Sequence, residues 1–265
     1  MECPVAAPAS NPDEMIIIHT LNHAYGTDGA ALLAKYLHDE FLAIGVNPNP
    51  RIKPETQTPF AARVLRNDLL LPLRNKGRLP VGAVHTAHGK ARGKQFAIDI
   101  RERDKLHCIV TGRPDRKAAN HLLLPVNMEC AHVAPFSPLR KMEVAQLVEL
   151  FTGGEITPQD IELELDTAKN GMLLQHDVHK DFDKYLWSIK IGADGRYEIV
   201  QFNDGPKLSF EETVTHLNMD LNHLSNPAAR FCKLHYTMAE LLRATGLNAQ
   251  DEPLPSDPGR IRTRN

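Results

Sequence analysis

The chain has 265 residues, 42% hydrophobic and 24% charged, with a formal net charge of -2. This is ordinary globular material, long enough for one large or two modest domains, and no apolar run approaches a membrane span. Its four cysteines, Cys3, Cys108, Cys130 and Cys232, are dispersed, which indicates neither a disulfide framework nor a zinc knuckle; as free thiols they fit a reducing intracellular compartment, cytoplasmic or nuclear.

In chain order, Met1 to Glu14 is rich in Pro and Ala and lacks a basic stretch ahead of an apolar core, so it reads as a loose tail and not as a secretory signal. Met15 to His19 is expected to be a short strand. Residues 28–44 and 59–75 have helical periodicity, the second interrupted at Pro72. Residues 79–92 read as a linker, and Gly93 to Leu106 as a helix leading into a core. Met128 to Ala131 can run as a strand that ends near His132, before Pro135. A helix over Pro138 to Phe151, broken by Gly153-Gly154, lies in a long stretch that could cover a site. Asn170 to Asp183 reads as a helix with Asn170 as its N-cap and Leu174, Val178 and Phe182 as its buried stripe. Residues 185–191 and 196–202 alternate around Gly192 to Gly195, a hairpin signal in which Trp187 and Tyr197 serve packing. Leu234 to Thr245 is a helix stopped by Gly246, and Pro253 to Asn265, with Arg260, Arg262 and Arg264, reads as disordered.

Several side chains in the middle of the chain carry chemistry. His132, at a strand end, is of the residue type that takes a proton from water near neutral pH, although one of thirteen histidines is by itself weak evidence. His179 and Asp183, four apart on one helix face, can offer two ligands to one metal ion, or simply hydrogen-bond each other. His176 is a ligand-supporting or substrate-facing group, or a plain surface His. Asp177, Lys180, Asp181 and Lys184 look like a solvated helix face.

His132, Asn170 and a His nine residues after that Asn, His179, together resemble the HNH endonuclease family, which has the ββα-metal fold. The words Cys108-Ile-Val-Thr-Gly112, Ala131-His132-Val-Ala-Pro135, Asn170-Gly-Met-Leu-Leu174 and His179-Lys-Asp-Phe182-Asp183 look like one subfamily of bacterial and fungal members, over roughly residues 98–202. The resemblance implies that His132 is the general base and that Asn170 braces the loop carrying it. It also implies that His179, with Asp183, binds one divalent ion, whether Mg²⁺, Mn²⁺, Zn²⁺ or Ni²⁺. The position before the strand His often supplies another ligand in the wider family, but here it is Ala131. Glu129, of the same strand parity, either substitutes for it or is a surface carboxylate.

The expected fold class is therefore α+β: a ββα-metal core with a C-terminal hairpin, inside a mostly helical framework. The stretches would be a tail (1–14), a helical region (15–92), an HNH nuclease domain (93–202), a C-terminal helical region (203–250) and a second tail (251–265). Net charge alone argues against a nucleic-acid binder. Between Arg74 and Lys117, however, twelve Lys and Arg face four acids, so this segment either tracks nucleic acid, DNA before RNA, or is a solvated face. Two functions stand against each other: a metal-dependent endonuclease, and a catalytically degenerate module of the same fold that binds nucleic acid or protein.

Overall fold

The computed structural model describes residues 11–46, 57–74, 87–117, 126–202 and 226–247. Of the expected tails, residues 1–10 of 1–14 and all of 251–265 lie outside the described residues, as do most of the 79–92 linker and residues 203–225, whereas residues 12–14 are helix and not tail.

Helix α1 spans Pro12–His23, where the strand at Met15 to His19 was expected. The isoleucine run favours a strand, but the helix start signals outweigh it. Asn11 accepts a hydrogen bond from the Asp13 backbone at 3.0 Å, Pro12 occupies the first turn, and Asp13 and Glu14 complement the helix dipole. Ile16 and Thr20, four apart, then face the core and Ile18 is left 50% exposed. Helix α2 is Gly26–Val46 and α3 is Gln57–Val64. A π-helical segment, Leu65–Leu70, carries α3 into α4, Leu71–Arg74, so the helical path runs through Pro72. Leu65, Leu69, Leu70 and Leu73 are all fully buried there. Helix α5 is Ala87–Arg103, longer at its start than expected.

The central hairpin pairs β1, Met128–His132, with β2, Gly171–Gln175, antiparallel, so that His132 faces Gly171 and Glu129 faces Leu174. Between the strands lie α6 (Phe136–Leu139), α7 (Met142–Phe151) and α8 (Pro158–Glu164). Helix α9, His176–Asp183, follows β2 directly. The helix expected from Asn170 is thus split: residues 171–175 are strand, Leu174 belongs to that strand, and Asn170 closes a 3₁₀ turn, Ala168–Asn170. Met172, Leu173 and Leu174 are each fully buried, as in a strand covered on both faces, and such short apolar runs do not show their period in sequence. Val178 and Phe182 keep the expected apolar stripe of α9.

Gly171 is required by a close approach. A Cβ there would lie 2.2 Å from Ile100 Cδ1 and 2.7 Å from the Phe96 ring, both on the buried face of α5. The hairpin β3 (Trp187–Ile191) with β4 (Tyr197–Gln201) forms as expected, and α10 (Ala229–Ala244) packs on β3. Trp187 is fully buried and its Nε1 donates to Val178 O at 3.0 Å, tying the second hairpin to α9. The apolar core is continuous from Ile16 through both hairpins to Leu247: α1 packs on α3 and α10, and α2 packs on α7. Among the described residues no helix is long and apolar enough to cross a membrane.

Candidate functional site

Asn170 is fully buried and every amide atom is used. Its Oδ1 accepts from Ala134 N at 2.7 Å, while Nδ2 donates to Ala134 O at 3.1 Å and to Leu165 O at 2.9 Å. The backbone adds Val133 N to Asn170 O at 2.9 Å. The segment leaving β1 just after His132 is therefore locked to the segment entering β2. A neutral hydrogen bond contributes about 1 kcal/mol net, but stranding a buried partner costs about 1–3 kcal/mol, so this set is worth more broken than formed.

A second brace was not legible in the sequence. Arg103 and Asp104, adjacent at the end of α5, form a two-point ion pair at 2.7 and 2.9 Å. Arg103 also donates to Ala168 O and Gly171 O, both at 2.8 Å, and Asp104 accepts from Leu173 N at 2.8 Å. The fork of a guanidinium suits two carbonyls and a carboxylate at once. In sequence these two looked like ordinary members of the charged 74–117 segment. Arg101 in the same segment pairs with Asp115 at 3.5 Å. Lys94, Lys105, Arg116 and Lys117 are exposed.

His132 ends β1 with its side chain 26% exposed. Its ring lies between Phe96 of α5, with centroids 4.1 Å apart and planes 9° from parallel, and Phe136 of α6, at 4.9 Å and 27°. Its Nε2 is buried, makes no hydrogen bond, and lies 3.5 Å from Asp166 Oδ1. Asp166 was not among the residues singled out from sequence, since an acid after a short helix carries no signal of its own.

The residues of α9 meet β1 at Glu129. Glu129 Oε1 is 2.7 Å from His176 Nδ1, and its Oε2 is 2.7 Å from His179 Nδ1. Burial raises the Glu129 carboxyl, but the hydrogen bonds from His179 and His176 outweigh it and hold the group below the usual carboxylate range. An ionised carboxylate only accepts, so both rings carry a proton on Nδ1. The Nε2 of His179 then faces Asp183 Oδ1 at 3.4 Å. In a neutral ring that is a lone pair opposed to a carboxylate, and a proton or a cation between them relieves it.

Two ligands about 2.1 Å from one ion lie about 3.0–3.4 Å apart, so the His179 and Asp183 pair fits a shared divalent ion. Glu129 holds the far nitrogen of His179, as carboxylates do behind metal-bound histidines. No group of three or more His, Cys, Asp or Glu that could hold a metal is present among the described residues, and fully buried Ala131 adds no donor. An imidazole with a carboxylate serves Mg²⁺, Mn²⁺, Zn²⁺ and Ni²⁺ alike, the remaining positions being left to water.

A histidine thus ends β1, a buried Asn clamps the turn that follows it, and a His–Asp pair lies on the next helix. Residues 108–190 match the family model described as HNH endonuclease. Over this segment, less than half of the chain, the protein is similar to that family. No curated protein and no solved structure matches the chain. The HNH segment contains β1, β2 and α9, and with them His132, Asn170, His179, Asp183, Glu129 and His176. The contacts of His132 come from α5, α6 and the 166 turn, whereas Glu129 and Asp183 engage His179. Of the cysteines, Cys108 and Cys232 are buried and Cys130 is half-buried, all free; burial pushes the Cys232 thiol up to about 12.

Proposed function

We propose that the protein is a divalent-metal-dependent endonuclease that hydrolyses phosphodiester bonds, in DNA before RNA, with His132 as general base. The observation that carries this reading is the two-sided clamp of Asn170 on Ala134, directly after His132, within the HNH segment. Such a clamp fixes the backbone on which a base must be held to a fraction of an ångström.

In this reading a water gives its proton to His132 and its oxygen attacks phosphorus. The bond from phosphorus to the leaving oxygen breaks, and that oxygen takes up a proton from solvent. A divalent ion, when bound, stabilises charge on the phosphate and leaving oxygen. His179 Nε2 and Asp183 Oδ1 would hold it, and Glu129 keeps the His179 ring in the tautomer that presents Nε2. His176 shares that carboxylate and helps hold Glu129 in place. Exposed Lys94, Lys105, Arg116 and Lys117 would contact the phosphate backbone. Arg103 would not, because its guanidinium is committed to Asp104, Ala168 and Gly171.

One observation favours a second reading, a degenerate module that binds nucleic acid or protein: the donor set lacks a third protein ligand among the described residues. The two part on a cleavage panel. Purified protein is incubated with supercoiled plasmid, single-stranded DNA and RNA in Mg²⁺, Mn²⁺, Zn²⁺, Ni²⁺ or EDTA. Nicking that needs a divalent ion supports the endonuclease; no cleavage of any substrate with any ion leaves the binding module.

A further inference from the structure

His132 Nε2 is buried, lacks a hydrogen bond, and points at a single carboxylate oxygen, Asp166 Oδ1, 3.5 Å away. The ring cannot easily turn from it, because Phe96 covers one face and Phe136 the other. A ring nitrogen facing a carboxylate in a buried setting carries a proton, since two acceptors there would repel each other. We propose that Asp166 is the positioning residue of His132: its carboxylate accepts a hydrogen bond from Nε2–H, so that Nδ1 carries the lone pair that takes the proton of water. This assumes that His132 is the base of the reaction proposed above.

The backbone around Asp166 is built to hold it. Leu165 O on one side is bonded by Asn170 Nδ2 at 2.9 Å, and Ala168 O on the other by Arg103 Nη1 at 2.8 Å. Thr167 N closes the turn onto Glu164 O at 3.2 Å. The neighbouring charges are engaged elsewhere: Arg103 with Asp104, Lys169 with Glu164, and Arg230 with Asp160 and Glu164. A separation of 3.5 Å is longer than a formed N–H···O bond, about 2.9 Å, and contacts of this kind tighten when a substrate binds. Asn170 thus holds two things at once, the turn after His132 and the turn that presents Asp166.

The test is the tautomer of His132, read by long-range ¹H–¹⁵N correlation on protein with ¹⁵N-labelled histidine, the resonance being assigned by its loss in His132→Gln. The wild-type ring is expected to be protonated on Nε2 when neutral. Asp166→Ala and Asp166→Asn should lose that preference and Asp166→Glu should keep it, with thermal melting confirming that each variant is folded. On plasmid, Asp166→Asn should lower kcat by about 10- to 1000-fold with KM within about twofold, and Asp166→Glu should recover part of the loss. A wild-type ring protonated on Nδ1, or a tautomer unchanged in folded Asp166→Ala, overturns the assignment. The spectrum needs no turnover. A protein that cleaves nothing counts against the nuclease while the spectrum still decides Asp166, and a cleaving protein whose spectrum ignores Asp166 keeps the nuclease and loses the positioning residue.

Discussion

Asn170 grips Ala134 by both of its backbone groups, accepting from N at 2.7 Å and donating to O at 3.1 Å, across 36 residues of chain. The two strands of the central hairpin are thereby pinned at the end where His132 sits. Asn170→Ala should strand three buried backbone groups, at Ala134 N, Ala134 O and Leu165 O, and destabilise the fold by about 2–4 kcal/mol. Urea titration followed by circular dichroism measures this. Asn170→Asp keeps the acceptor and loses both donors, so it should be destabilising as well.

Gly171 meets α5 with no room to spare. Gly171→Ala should press a methyl into Ile100 Cδ1 and the Phe96 ring, at starting separations of 2.2 and 2.7 Å, and cost about 1–3 kcal/mol. Because Phe96 stacks on His132, the same change should perturb the His132 ring resonances. A melting temperature and spectrum equal to wild type would show that α5 shifts freely, contrary to its close packing.

How much could be read in advance follows from which signals are local. The hairpin at Gly192 to Gly195, the α10 stop at Gly246 and the strand ending at His132 each announce themselves within a few residues, and all are present. The helix expected from Asn170 gives way to a strand for a physical reason: Met172, Leu173 and Leu174 are all fully buried, and burial on both sides erases the alternation that identifies a strand. Met15 to His19 failed in the opposite direction, since an Asn cap and Pro at the first turn outweighed three consecutive isoleucines. The link between Asn170 and its turn was legible through the family resemblance. Arg103 with Asp104, and Asp166 beside His132, were not, because each depends on partners dozens of residues away.

The start of α8 is a capping box: Thr157 and Asp160 each bond the other's backbone N–H, at 3.1 and 3.0 Å. Thr157→Ala should cost about 1 kcal/mol. The backbone and side-chain hydrogen bonds of Thr157 hold the Asp160 carboxyl below its usual range. The folded state therefore prefers Asp160 ionised, so this contribution is present above the ordinary carboxylate pKa and is lost as pH falls through the depressed folded value. Stability measured at pH 7 and pH 3 should fall less steeply with acid in Asp160→Asn than in wild type; equal slopes would remove Asp160 from the acid response.

If His179 and Asp183 share an ion, Mn²⁺ or Mg²⁺ should raise the melting temperature of the wild type, and EDTA should reverse it. Asp183→Ala should abolish the ion-dependent rise. Glu129→Gln should weaken it about 10- to 100-fold in ion concentration, as loss of an orienting carboxylate does. A shift of undiminished size in Asp183→Ala would place the ion elsewhere.

The most direct test of His132 as the base is the plasmid cleavage rate of His132→Ala beside the wild type, in the best divalent ion, with fold and ion binding checked on both proteins. The account predicts a loss of about 10²–10⁴-fold with the ion-dependent melting shift retained. A folded, ion-binding His132→Ala protein that cleaves at the wild-type rate would contradict it.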